Sequence, residues 1–218
     1  MAAKAPRGRP RSFDREQALR SAMDVFMARG FDGTTLEDLQ AAMGGIAPPS
    51  FYAAFGSKDQ LFREAITVYH AAMSSRFLAR LEVPTAREAI EGLLRAGVET
   101  FAGGEGPRGC MVVLGALNAT RADTQVHEYL RELRDQGSEA IRRRLLRGIA
   151  DGDVPGGAPV SELTSFFTTV MQGMAIRAHG GASRQALSAT VDAAMAAWEP
   201  LMQQADGQKR ARSRRKSA

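Results

Sequence analysis

The chain predicts an all-α fold. Apolar residues recur at i, i+3, i+4 and i+7 along most of its length, strand-like alternation is scarce, and the periodic stretches are separated by glycine and proline clusters at Gly44-Gly45, 103–107, 152–159 and Gly180-Gly181. With 218 residues, 44% of them hydrophobic, it can build one large domain or two small ones around a packed core.

Each element has its own justification. Asp14 N-caps the first helix, Ala18, Leu19, Ala22, Met23, Phe26 and Met27 give it an apolar face, and Arg29-Gly30-Phe31 closes it. Thr34 or Thr35 caps the second by accepting a bond from an orphan backbone N–H, with Glu37 and Asp38 at the positive end of the helix dipole. Leu36, Leu39 and Met43 share one face, and Gly44-Gly45 supplies the left-handed backbone that ends the helix and turns the chain. The third helix is short. Pro48 and Pro49 fit only its first turn, where no backbone donor is required, so it runs from about 48 to 54. Phe26, Leu36, Leu39, Phe51 and Phe55 form a small core shared by these three helices.

A long fourth helix, about 58–81, is apolar at Leu61, Phe62, Ala65, Ile66, Tyr69, Met73 and Phe77, and Pro84 lies in the break after it. A fifth covers about 85–101. The next, 110–120, is apolar nearly all round, which implies burial on every side. A charged helix follows over about 124–150; its run of Arg131, Glu132, Arg134, Asp135, Arg142, Arg143 and Arg144 reads as a solvated face. The last two, about 160–179 and 183–204, carry broad apolar faces.

Two short helices joined by a glycine turn and braced by a first helix make a helix-turn-helix, which points to DNA. The outward face of the third helix carries Pro49, Ser50 and Ala53. Such small side chains let a helix approach base edges closely, a serine hydroxyl donates or accepts, and a methyl meets a thymine methyl. Tyr52 and Lys58 stand where phosphate oxygens would lie.

Phe31, Gly33, Thr34 and Thr35, the Ser50-Phe51-Tyr52 triplet, and Phe55-Gly56-Ser57-Lys58 followed by Leu61-Phe62 resemble the DNA-binding domain of TetR-type transcriptional regulators over residues 13 to 62. The resemblance implies a homodimeric, all-helical bacterial regulator, usually a repressor, that releases its operator when a small molecule binds a second domain. It places Thr35, Tyr52 and Lys58 on phosphates, with Thr34 beside them in the DNA-binding set, and Pro49, Ser50 and Ala53 in the major groove. The turn departs from the family pattern: Met43-Gly44-Gly45-Ile46 is one residue longer than usual, and Ala47-Pro48-Pro49 replaces the common Ser-Lys-Gly type of entry.

Net charge is +5, yet residues 1–12 hold Lys4, Arg7, Arg9 and Arg11 without an acid, and 207–218 hold six more cations, which leaves an acidic body between two basic ends. The expected organisation is a disordered basic arm (1–12), a helix-turn-helix domain (13–57), a helical ligand-binding and dimerisation domain (58–206) and a disordered basic tail (207–218). Pro6-Arg7-Gly8-Arg9-Pro10 resembles an AT-hook core, so Arg7, Arg9 and Arg11 are read either as a minor-groove arm or as a solvated, non-specific one. No apolar stretch is long enough to cross a membrane and no leader pattern precedes the first helix, so a cytoplasmic protein with no membrane partner is expected. One cysteine, Cys110, rules out an intrachain disulfide and a cysteine-cluster metal site, and the scattered His70, His127 and His179 form no metal or cofactor motif. No metal and no cofactor are expected.

The last two helices carry more apolar surface than a terminal hairpin needs. Phe167, Val170, Met171, Val191, Met195 and Trp198 are therefore read as a dimer interface, with a purely intrachain core as the alternative. Half-sites one helical turn apart call for the same two-fold symmetry, and the partners expected are a double-stranded DNA operator, a small-molecule effector and a second copy. The candidate effector pocket is built from Tyr69, Met73, Phe77, Phe101, Cys110, Met111, Leu114, Asn118, Phe166 and Met174, an apolar set with few polar handles. Cys110 next to Arg108, near a helix start, reads either as a low-pKa sensor thiol or as a small buried hydrophobe. Three functions are open: a ligand-responsive repressor, a basic architectural protein that binds DNA without operator specificity, and an enzyme using Cys110. The last lacks a base beside the thiol.

Overall fold

The computed structural model describes residues 13–104, 106–115 and 124–202, and among these the chain forms nine helices and no strand. They are α1 (Arg15–Arg29), α2 (Leu36–Ala42), α3 (Pro48–Phe55), α4 (Lys58–Leu81), α5 (Ala86–Ala102), α6 (Met111–Leu114), α7 (Thr124–Asp151), α8 (Val160–His179) and α9 (Arg184–Ala196). The caps follow the sequence. Asp14 accepts from the amides of Glu16 and Gln17, Thr35 and Asp38 form a reciprocal capping box on α2, Ser57 caps α4, and Thr85 with Glu88 caps α5. Gly44 and Gly45 both adopt positive φ, 82° and 77°, so the turn between α2 and α3 requires two residues without a Cβ.

Two expectations are corrected. The helix expected from Cys110 breaks off at Leu114 with Gly115 in a turn, and residues 116–123 lie outside the described residues. The last helix breaks at Ala197 before residues 198–202 turn helical again.

One buried cluster runs from Ala18 to Met202. At its amino-terminal end Phe26, Phe31 and Phe62 pack together, Phe26 and Phe62 edge to face at 4.9 Å, so α1 and α4 share a core. Around α5, which buries nine residues, pack α4, α7, α8 and α9. Gly97 permits the close approach of α8: a Cβ there would lie 2.6 Å from the Met171 sulfur.

Candidate functional site

Phe51 and Phe55 anchor α3 by burial, which turns Pro49, Tyr52 and Ala53 outward; Ser50 is half-buried and Tyr52 is 52% exposed. Pro48 and Pro49 occupy the first turn and lack N–H groups, and the Ser50 amide already bonds the Ala47 carbonyl. The start of α3 therefore presents an apolar, closely approachable surface whose polar functions are the Ser50 and Tyr52 hydroxyls.

Two cationic ties fasten this unit to α4. Arg15 on α1 makes two bonds to Glu64 on α4, at 2.6 and 2.7 Å, points its other N–H groups at the Ala54 carbonyl of α3, and lies 4.8 Å over the Phe55 ring. Lys58 donates to the Thr34 carbonyl at 2.7 Å and sits 4.3 Å from the centre of the Phe31 ring. That one bond leaves two of its three donors for another acceptor.

The predicted threonines divide. Thr34 is corrected: it is 1% exposed and its hydroxyl donates to the Gly30 carbonyl, so it pins the α1–α2 connection and cannot touch a phosphate. Thr35 is exposed, but its hydroxyl and its amide both engage the Asp38 carboxylate. The bonds from Thr35, with Arg29 pairing to the same carboxylate, hold the Asp38 pKa below its ordinary range. Arg7, Arg9 and Arg11 lie outside the described residues.

A cavity of about 410 Å³ opens between α4, α5, α7, α8 and the turn of α6. Tyr69, Met73, Phe77, Phe101 and Cys110 line it as expected. Met111, Leu114 and Met174 do not; each is buried in the packing around it. Phe166 is corrected too, since it is 37% exposed and faces out from α8, and Asn118 lies outside the described residues. Sequence reasoning missed His70, Ser74, Arg134, Ser138, Thr168 and Gln172, polar positions on helix faces that look solvated until α4, α7 and α8 are packed together.

Polar side chains stand at several points of the lining. The Tyr69 phenolic oxygen is buried beside the Cys110 thiol with no well-formed hydrogen bond, and burial, then Cys110, pushes its pKa far above the ordinary range. Arg134 reaches the Val112 carbonyl at 3.3 Å, and burial lowers its pKa. The His70 ring bonds the Ser74 hydroxyl at 3.2 Å, and burial lowers its pKa, which keeps it neutral at pH 7. Burial also raises the pKa of Cys110, against the backbone amide of Val113 and the Tyr69 hydroxyl that pull it down. Of the two readings of Cys110, burial favours the small buried hydrophobe over the low-pKa thiol. Arg108 turns away to the Ala182 carbonyl, and a single helical turn supplies little dipole.

The predicted dimer residues are also redistributed. Phe167, Val191, Met195 and Trp198 are buried within the protomer, with Phe167 and Trp198 rings 5.8 Å apart, and Met171 lines the cavity. Val170, like Met171, stays partly exposed, and on the same helix α8 Phe166 and Ile176 are 37% and 41% exposed.

No helix among the described residues is long and apolar enough to cross a membrane, and they contain no cluster of side chains suited to a metal ion. Residues 18–65 match the model of bacterial regulatory proteins of the tetR family, and residues 86–194 match the tetracyclin repressor-like C-terminal domain. The HTH-type transcriptional repressor ComR of Escherichia coli K12 is 29% identical over 201 residues, covering 91% of this chain and 95% of that protein. The HTH-type transcriptional regulator YezE of Bacillus subtilis is 31% identical over 150 residues, 68% of this chain and 77% of its own. Among solved structures, a cysteine-substituted form of the regulator CifR bound to 26-base-pair operator DNA is 44% identical, with a TM-score of 0.81 over 87% of this chain and all of that one.

Proposed function

Because the chain belongs to the TetR family of bacterial transcriptional regulators, which are not enzymes, we propose that it is a ligand-responsive repressor. In this reading a dimer holds a palindromic operator and lets go when a small molecule fills the cavity. The observation that carries it is α4, one helix that meets both sites. Its first turns are tied to the α1–α2 connection through Lys58 and to α1 through Glu64, whose partner Arg15 also reaches α3, and from Tyr69 to Leu81 it forms a wall of the cavity. A ligand that favours one tilt of α4 changes the separation of the two recognition helices, and affinity falls because both half-sites are no longer engaged together.

Base reading falls to Pro49, Ser50 and Ala53, with Tyr52, Lys58 and Thr35 on the backbone. A face of methyl and ring carbons suits thymine methyls, so T·A pairs are expected under α3. The second copy packs on the outer side of α8, where Phe166 and Ile176 stand exposed and Val170 is partly exposed. Selection from a random duplex pool at physiological salt tests the reading. A palindromic winner preferred by about 10³-fold or more over scrambled DNA supports it, whereas enrichment of A·T content alone replaces it with the architectural function.

A further inference from the structure

We propose that the cavity takes an elongated apolar molecule ending in a carboxylate, with Arg134 and Tyr69 holding the charged end; this rests on the reading of the cavity as the effector site.

Charge bears on it first. The described residues lining the cavity include Arg134, Arg143 and His70 and no aspartate or glutamate. Arg143 is exposed and lies 3.9 Å from Glu139, so it belongs to the mouth. Arg134 is deeper. Among the described residues no carboxylate comes within 4.0 Å of it, and its one hydrogen bond there goes to the Val112 carbonyl. A guanidinium has five N–H donors and no acceptor, and among the described residues one carbonyl meets only one of them on a side chain that lines the cavity. Asp135 acts on that half-buried cation only from a distance and is itself paired with Arg131, whereas a bound carboxylate would supply a direct counter-charge and both acceptor oxygens.

The second observation is independent of charge. The Tyr69 phenol is buried without a well-formed bond beside Cys110, which itself borders the cavity near Arg134. A thiol sulfur is a weak acceptor for a buried hydroxyl, and a carboxylate oxygen held by Arg134 would be a stronger one.

Shape supplies the apolar part. From Tyr69 to Leu81 the lining follows α4 for thirteen residues, twelve helical steps or about 18 Å at the rise of 1.5 Å per residue. Met73, Phe77, Leu81, Leu93, Ile141 and Met171 supply apolar wall that suits an alkyl or aryl body, and the Ser74, Gln136, Ser138, Thr168 and Gln172 that share the lining bring no charge to hold an acid head.

Calorimetry with the full-length protein tests this with two matched pairs, decanoate against decanol and phenylbutyrate against phenylbutanol. At least one acid should bind about tenfold or more tightly than its alcohol, the scale of a charge-assisted hydrogen bond. The preference should fall to about one in Arg134→Gln and largely persist in Arg134→Lys, with unfolding midpoints verifying that both variants are folded. Equal affinity of acid and alcohol in the wild type, no binding of either acid, or a preference surviving in Arg134→Gln overturns the proposal. Operator release separates it from the broader reading. An acid that binds through Arg134 without weakening operator binding refutes the effector role alone, and a neutral molecule that releases DNA with no acid preference refutes the carboxylate alone.

Discussion

Thr34 and Thr35 are adjacent, and their side chains serve different ends. Thr34 closes the α1–α2 connection from inside, while Thr35 is locked to Asp38 in a capping box at the surface. Asp38 has a depressed native pKa, so its contribution is complete at neutral pH and is lost as pH falls through that native value. In Asp38→Asn the unfolding midpoint should fall at pH 7 and lose part of the acid dependence seen in the wild type; identical acid profiles would show that the carboxylate contributes nothing. Lys58 and Tyr52 form a second contrast. Lys58→Met removes a hydrogen bond and a cation–π contact, each about 1 kcal/mol, so it should lower stability by about 1–2 kcal/mol in denaturant titrations and also weaken operator binding. Tyr52→Phe removes an exposed hydroxyl and should weaken operator binding several-fold with unfolding unchanged. The surface positions Pro49, Tyr52 and Ala53 were legible in the sequence because the buried partners Phe51 and Phe55 fix the phase of α3. The burial of Thr34 was not, because it depends on how α1 meets α2.

At the scale of elements, caps and glycine turns located the helices closely. Asp14, Thr35, Ser57 and Thr85 act through bonds within three residues, so local sequence decides them. Contacts between helices decide the rest. Gly97 on α5 has nothing beside it in sequence to explain it, yet it makes room for Met171 on α8, and Met171 in turn borders the cavity. Gly97→Val should cost about 1–3 kcal/mol by overpacking and reduce ligand binding, as Met171 is pushed into the space a ligand needs. Unchanged stability and unchanged binding in that variant would mean that α5 and α8 separate freely. Met171 also explains a misreading: apolar periodicity marks α8 as having a buried face, but it does not say whether another helix, a cavity or a second protomer covers that face.

For the whole molecule the same ambiguity decides the dimer surface. Phe167, Val191, Met195 and Trp198 are buried within the protomer, Phe167 against Trp198, which moves the expected interface to Phe166, Val170 and Ile176. Phe166→Asp combined with Ile176→Asp should leave the fold intact, since both are exposed, shift the sedimentation coefficient from dimer to monomer, and abolish tight binding to a two-half-site operator. A dimer that survives both charges would place the interface elsewhere. By itself the sequence determined the all-helical class, the helix starts, the aromatic core of the DNA-binding unit and the family, because caps, glycine turns and apolar periodicity act over a few residues and need no tertiary context. Only the tertiary structure decided which apolar side chains meet each other, which border a cavity and which remain for a partner, and it alone brought Tyr69, Cys110 and Arg134 together. Those residues lie on three elements far apart along the chain, so no local pattern records their meeting.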